Sequence, residues 1–386
     1  MSMTTGRGFD ADDMRLFREL VSMNTDSVEK SNYVEASRLL QKELDAIGAR
    51  VTIVNAPAPD GKPRPNLVGY IDNGKDETVG LCSHFDVVPV TGQEWKTDPF
   101  NLVISGRKAF GRGVNDDKAE IVASIAAVKS ARSNANVEFI IACDEEVGSE
   151  YGTKWVLQNR RKLIKSTHAV VLDTSKKITV GSSGTTMGKI TVLGKEAHAG
   201  YPHLATNAIT SALPFLSRLS RFSKIAGKSV SKYGVAGGLK IYGRFSITML
   251  HAGFKENIIP GRLEARFDMR SIPEISVERL RERFSRYFEK ARKASGVDAT
   301  LEFTGMNDGY CTDPREKIVR MVAEATGLKE FYGTFGSNDG SFFHRAGIPV
   351  VAYGCTNVTH HKANEYVDLD EMLQLKREIA RLLEIF

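Results

Sequence analysis

His84 and Asp86 stand two residues apart directly after the apolar run Thr78-Val-Gly-Leu-Cys-Ser. Asp144, Glu145 and Glu146 follow Val137-Glu-Phe-Ile-Ile-Ala-Cys, and Asp173 follows Ala169-Val-Val-Leu. His360 and His361 lie in the loop after Ile348-Pro-Val-Val-Ala-Tyr-Gly. The i, i+2 spacing puts His84 and Asp86 on one side of an extended chain, where a carboxylate fixes the tautomer of a ligating imidazole. Asp116 follows the glycine-rich turn Phe110-Gly-Arg-Gly-Val-Asn and opens a helix at Lys118. On extended backbone the adjacent Glu145 and Glu146 point apart, so one can bind a cation while the other faces a reacting water. His, Asp and Glu donors without cysteine suit Zn²⁺, with Co²⁺ or Mn²⁺ as substitutes. Taken singly, each feature also has an ordinary role: a surface hydrogen bond, a solvated acidic loop, an N-cap pair at Asp116-Asp117. Their recurrence at the carboxyl ends of strands favours a metal site, because ligands of open α/β sheets gather at that edge.

The elements that must hold these residues alternate. Helical spacing of Leu, Phe and Ile covers Ala11 to Met23 and Tyr33 to Ile47. A strand follows at Arg50 to Val54, then a proline-rich loop from Ala56 to Pro65. From there short apolar runs alternate with helices, the pattern of βαβ units and a largely parallel sheet. Between Gly184 and Gly305 the character changes: strands at Met187 to Leu193, Arg262 to Arg270 and Ala299 to Phe303 flank helices at Asn207 to Leu219 and Ser276 to Lys293. A helix over Pro314 to Thr326, the strand Ile348 to Gly354 and a last helix over Leu369 to Ile385 then resume the first pattern. The expected architecture is a three-layer α/β catalytic domain with a mixed, largely parallel sheet, formed by residues 1–184 and 306–386. An α+β lid or dimerisation domain, residues 185–305, is inserted in it.

With 386 residues, two domains are the natural expectation. The net charge of +6 is spread among interleaved acids, a weak field for steering anionic ligands. No Lys/Arg cluster with interleaved aromatics points to nucleic acid. Met1 to Phe9 carries no apolar targeting segment, and no run approaches the ~18–20 apolar residues of a membrane span; a cytoplasmic protein that does not engage a membrane is expected. Cys82, Cys143, Cys311 and Cys355 are far apart with no C-x-x-C spacing, and are expected to be structural thiols.

Six segments carry a resemblance. They are Ser83-His-Phe-Asp-Val-Val-Pro89, Gly111-Arg-Gly-Val-Asn-Asp-Asp-Lys118, Asp144-Glu-Glu-Val-Gly148, Ala197-His-Ala-Gly-Tyr-Pro-His203, Asn257-Ile-Ile-Pro260 with Arg270, and His361-Lys-Ala-Asn-Glu365. In content and order the chain resembles the dizinc exopeptidase and amidohydrolase family of aminoacylase, glutamate carboxypeptidase and succinyl-diaminopimelate desuccinylase. The resemblance implies that His84 and Asp173 hold one metal, that Glu146 and His361 hold the other, and that Asp116 bridges both across a cis peptide to Asp117. It makes Asp86 the partner of His84 and Glu145 the general base and acid. It makes His198 the oxyanion donor, reaching a site across a dimer interface. Arg270 and Asn257, with the loop Gly336-Ser337, would hold a substrate carboxylate. By the family's spacing to Glu365 the resemblance implies His361 as the ligand, with His360 as the alternative. The implied substrate is a small amide or peptide bearing a carboxylate, and the implied assembly is a homodimer through the lid.

Two departures bear on the substrate. Gly181-Ser182-Ser183-Gly184 stands where the desuccinylase has arginines, and Asp173 stands where acylases and carboxypeptidases tend to have Glu. The expected reaction is therefore hydrolysis of an N-acyl amino acid, a dipeptide or a peptide C-terminus. Desuccinylase or acetylornithine deacetylase work is the alternative within the class. A silent binding protein of the same fold is the alternative outside it, disfavoured because Glu145 and Asp116 are both present.

Overall fold

The computed structural model describes residues 8–356 and 358–386; the N-terminal stretch read above for a targeting signal lies, through residue 7, outside them. The chain separates into two units. One comprises Met1–Val180, Thr312–Phe331 and Asn338–Phe386, the other Gly181–Cys311 and Tyr332–Ser337.

The first unit is built on four neighbouring parallel strands in the order Asn136–Ala142, Thr78–His84, His168–Val171 and Val350–Ala352. Antiparallel Pro65–Ile71 and Arg50–Asn55 extend the sheet beyond Asn136–Ala142, which makes it mixed but largely parallel. Every residue of Thr78–His84 and of Asn136–Ala142 is buried, so these strands are covered on both faces, as continuous apolar runs demand. The helix Lys118–Ser130 is buried over its first ten residues, as a helix of Ala, Ile, Val and Ser with no polar face must be. It packs against Ala11–Ser22 and Leu369–Ile385. Those helices are amphipathic, turning Leu16, Phe17, Leu20 and Val21, and Met372, Leu375, Ile379 and Leu382, inward. A capping box between Asp10 and Asp13 starts the first of them. Two expected elements are shorter than their apolar runs. Pro349, which has no N–H to give, delays the last parallel strand to Val350. Asp313, accepting from the Arg315 amide at 2.9 Å, makes a turn that postpones the helix to Lys317–Thr326.

The second unit has an antiparallel sheet in the order Arg244–Ala252, Arg262–Arg270, Thr185–Leu193 and Asp298–Asn307. Along Arg262–Arg270, buried residues alternate with more exposed ones, so one face is packed and the other open. The helices Ala208–Ser220 and Val277–Ser295 form a common core with Ile190, Val192, Phe245, Phe267 and Met269 of the sheet. Asn207 and Ser276 cap them, each accepting a backbone amide of the first turn. No helix of the described residues is long and apolar enough to cross a membrane.

Candidate active site

Parallel strands end on one edge of their sheet, and there the histidines and carboxylates of the first unit meet. His84 closes its strand at 1% exposure. Its Nδ1 lies 3.1 Å from the main-chain oxygen of Asp86, which directs Nε2 to Asp116 Oδ1 at 3.0 Å. A carbonyl that holds one ring nitrogen fixes which nitrogen is free to bind a cation. The Asp86 carboxylate does more than accompany His84, whose Nδ1 is 3.4 Å from its Oδ1. Its two oxygens accept the amides of Glu145 and Glu146, each at 3.1 Å.

Those two bonds correct the expectation of an extended Glu145-Glu146. Glu145–Val147 is a single 3-10 turn entered through Asp144 in the left-handed region, φ 73°. A tight turn presents successive amides to one acceptor, which an extended chain does not. Asp144 itself is buried against Lys30 Nζ (2.5 Å) and Arg64 Nε (3.2 Å). Its charge is thereby matched, and Glu145 and Glu146 are the acids of the triplet left to act.

Asp116 is held from both sides. Glu365 accepts from the amides of Gly113 (3.1 Å) and Asn115 (2.9 Å) and pairs with Arg112 Nη1 at 2.6 Å. This carboxylate shapes the loop that delivers Asp116. Gly113 takes φ +76°, and a Cβ there would lie 2.5 Å from Val87 Cγ1, so only glycine fits. On the other side Lys118 Nζ bonds the carbonyls of Leu20 (2.8 Å) and Met23 (3.0 Å). The Asp116–Asp117 peptide is cis. Asp117 leads into the helix but caps nothing with its side chain; its Oδ2 accepts the His84 amide at 3.2 Å.

His361 completes the cluster from the loop after Val350–Ala352. Its Nε2 is 3.2 Å from Asp116 Oδ2 and 2.9 Å from Glu146 Oε2. Asp116 therefore turns one oxygen to each histidine. Two sets of donor atoms result, His84, Glu145 and Asp173, and Asp116, Glu146 and His361, with all atoms of each set within 4.8 Å of one another. Donors about 2.0–2.2 Å from one tetrahedral ion are spaced roughly 3–4 Å apart, so both sets have a size a divalent cation can span.

The charges argue in the same direction. Burial pushes Glu145 well above the usual carboxylate range, and the nearby charge of Asp173 adds to it. Burial and the Asp116 charge raise Asp173 to about 7, and the same two causes raise Glu146. Asp116 is lowered: burial opposes its charge, but hydrogen bonds from His361 and His84 outweigh it. His361 is raised to about 10 by Asp116 and then Glu146. Four half-buried carboxylates around two imidazoles repel one another until positive charge is placed among them. The oxygen and nitrogen donor set fits two divalent cations, with no soft ligand to select otherwise.

A profile of peptidase family M20/M25/M40 matches residues 80–385, a span that holds every residue of this cluster. The chain belongs to this family. Among its relatives is the succinyl-diaminopimelate desuccinylase of Nitratiruptor sp., 28% identical over 335 residues that cover 83% of this chain and 88% of that protein. An M20 metallo-carboxypeptidase from Sulfolobus solfataricus superimposes with a TM-score of 0.80 at 18% identity, covering 98% of this chain and 100% of the other. A dinuclear metal-binding M20 peptidase from Bacillus subtilis superimposes with a TM-score of 0.70 at 16% identity, covering 97% of each chain. The M20 chain described here is a metal-dependent amide hydrolase with the mixed α/β fold of these neighbours.

The other candidate residues lie in the second unit. His198 pairs with Ile258 in a two-stranded ribbon, and the Ala199 amide bonds the Asn257 carbonyl at 2.9 Å, so His198 and Asn257 are neighbours. The exposed His198 ring accepts the Gly200 amide on Nδ1 at 3.0 Å. Arg270 ends its strand with Nε on Asp268 (2.9 Å) and stands directly opposite Arg244 and Thr185 on the neighbouring strands. The Gly336 carbonyl accepts the Ser183 amide at 3.1 Å, and Ser337 follows it at the end of this unit. Several residues that shape these sites went unread in the sequence. Lys30, Arg64, Arg112 and Arg244 belong to this group. So does Asp339, two residues beyond Ser337, which is buried in the first unit with Ser149 Oγ at 2.5 Å.

Proposed function

We propose that this enzyme hydrolyses the amide bond of a small substrate with a free carboxylate beside the scissile bond: an N-acyl amino acid, a dipeptide or a peptide C-terminus. His84 and Asp173 would hold one divalent cation and Glu146 and His361 the other, with Asp116 shared between them. Zn²⁺ is the ion this donor set suits best. The observation that carries the reading is the Asp116 carboxylate, with one oxygen 3.0 Å from His84 Nε2 and the other 3.2 Å from His361 Nε2. Bound cations supply Lewis-acid polarisation of the scissile carbonyl and lower the pKa of water. Glu145 takes the proton of the attacking water and passes it to the leaving amine nitrogen as the C–N bond breaks. His198 donates to the developing oxyanion. Arg270 pairs with the substrate carboxylate through its guanidinium fork, supported by Asn257 and the loop at Gly336 and Ser337.

Substrates with a second carboxylate, as in N-succinyl compounds, are favoured by one further observation. Arg244 lies opposite Arg270 and bonds Ser183 Oγ (3.0 Å) and the Phe335 carbonyl (2.9 Å). It brings a second cation to the stretch Gly181–Gly184, which has none of its own. A homodimer is supported by the edge strand Arg244–Ala252, paired on one side only and bearing Met249 and Leu250 at 47% and 53% exposure. A second copy would cover such an edge.

The deciding experiment is hydrolysis of a panel by metal-reconstituted protein: N-acetyl and N-succinyl amino acids, dipeptides, and blocked peptides with free carboxyl ends. Turnover of one class, absent in Glu145→Gln, establishes both chemistry and substrate. Turnover that survives Glu145→Gln would refute the assigned mechanism, and two bound metals with no turnover of any compound would refute the substrate class.

A further inference from the structure

The second unit holds a cavity of about 340 Å³ walled by the helix Val277–Ser295, the chain after the helix Phe222–Ala226, and the segment that follows Arg270. Arg279, Arg283 and Arg286 line it from the helix. Steps of four and three residues put all three on one helical face. Arg270 also borders it, but its side chain alternates with the buried Met269 and pairs with Asp268 on its own strand, and no aspartate or glutamate lines the cavity.

This charge is not matched from within the fold. Arg270 is no part of this unmatched charge, its Nε lying on Asp268 at 2.9 Å. Arg283 makes only long bonds, 3.4 Å each, to the neutral Ser229 Oγ and the Ile225 carbonyl. Among the described residues the guanidinium groups of Arg279 and Arg286 make no salt bridge and no hydrogen bond, although Glu282 lies one turn from both on the same helix. A second feature of the wall is also unmet: Ser271 is 2% exposed and its Oγ has no partner.

Three guanidinium groups around one small volume repel each other, and a single multiply charged anion relieves every pairwise term. The arginine fork matches phosphate and carboxylate oxygens two at a time. The volume is at the small end of the ~300–1,000 Å³ typical of metabolite sites, too little for a peptide. Part of the wall is apolar, from Ile272, Ile275 and Leu280, and can take a short carbon skeleton. We infer that this cavity is a binding site, separate from the metal cluster, for a small multiply charged oxyanion of the phosphate-ester or polycarboxylate kind.

Inorganic phosphate and citrate, titrated separately into the metal-loaded full chain by calorimetry, test the site. The comparison is with Arg279→Gln/Arg286→Gln, which leaves Arg270 and Arg283 in place. Wild type should show saturable one-to-one binding of at least one anion, weakened about tenfold or more in the variant, the scale of a lost charge-assisted hydrogen bond. Unchanged amide hydrolysis by the variant shows that its fold and metal cluster are intact, so that the loss is local. Preference for phosphate identifies a phosphate ester, and preference for citrate a polycarboxylate. Equal affinity in both proteins would place the anion elsewhere, and no binding to wild type would remove the site; either overturns the inference.

Discussion

Arg112, Lys118, Glu120, Glu138 and Glu365 of the first unit are each exposed by 1% or less. In the second unit no Asp, Glu, Lys, Arg or His among the described residues is buried; the interior is Phe215, Phe222, Phe245, Phe267, Phe284 and Phe288, with hydroxyls as the buried polar groups. Burying ions is costly even when they are paired, and replacing such pairs by apolar side chains often stabilises a protein. The first unit retains them where they act. Arg112 and Glu365 hold the loop before Asp116, Lys118 holds the chain after it, and Lys30 and Arg64 neutralise Asp144, which leaves Glu145 and Glu146 to the two donor sets. The second unit has only to keep a sheet flat against two helices, which aromatic packing does, and its charged residues remain on surfaces where they can bind. One unit is organised by electrostatics and the other by packing.

Removing the cations should break the comparison most severely. A strong chelator should abolish turnover completely, and zinc or cobalt should restore it. Because bound ions stabilise only the folded state, by about 2.7 kcal/mol at a hundredfold excess over Kd, the first unit should also melt earlier in a calorimetric scan while the second is unmoved. Activity indifferent to prolonged chelation would end the metal assignment. Glu145→Gln should lower kcat on the order of 10²–10⁴-fold with metal content unchanged by elemental analysis. Loss of metal in that variant would make Glu145 a ligand, which its place beside His84 and Asp173 permits.

His198→Ala tests whether the packed unit lends a residue to the charged one. Loss of an oxyanion donor costs about 10²–10³-fold in kcat, again without loss of metal. Mixing this variant with Glu145→Gln should recover part of the activity if His198 serves the site of a second copy. No recovery would confine each site to one chain. Phe284→Ala addresses the aromatic interior itself. Its ring centroid lies 5.0–5.1 Å from those of Phe222, Phe245 and Phe267, and truncation of such a residue costs about 3–5 kcal/mol. The loss should appear in the melting of the second unit alone; metal loss alongside it would show that the two units fold as one.

The same contrast explains what could be read in advance. His84, Glu145, Glu146 and Asp173 lie within three residues of the end of an apolar run, so the strand that positions each one also announces it. The alternation in Arg262–Arg270 and the helix starts at Asn207 and Ser276 are equally local, and those elements were legible for that reason. Arg112 and Glu365 lie 253 positions apart, and Lys30 and Asp144 lie 114 apart; no local pattern links them, although they shape the segments that carry Asp116, Glu145 and Glu146. The turn at Glu145–Val147 depends on a left-handed Asp144 and on two amides donated to Asp86, neither visible in a run of three acids. The strand Arg244–Ala252 escaped notice because it lies at an edge and is exposed along most of its second half, which leaves no regular alternation to detect.

The smallest effect belongs to Arg270, and it separates binding from stability most cleanly. Arg270 is a third exposed and paired with Asp268, at 31% and 26% exposure for the two side chains, a pair worth little to the fold. Arg270→Lys should therefore leave the melting of the second unit unchanged. If the guanidinium pairs with the substrate carboxylate through two parallel hydrogen bonds, lysine supplies the charge but not the second bond. KM should then rise about tenfold, the worth of one charge-assisted hydrogen bond, with kcat nearly unchanged because the substrate carboxylate keeps the same charge in ground and transition states, so the contact is uniform binding. A fall in kcat at constant KM would instead mean that Arg270 acts on the transition state, and the second unit would share the electrostatic work assigned to the first. Unchanged kinetics with a lowered melting temperature would make the Arg270–Asp268 pair structural and leave Arg244 as the arginine of that row available to a carboxylate.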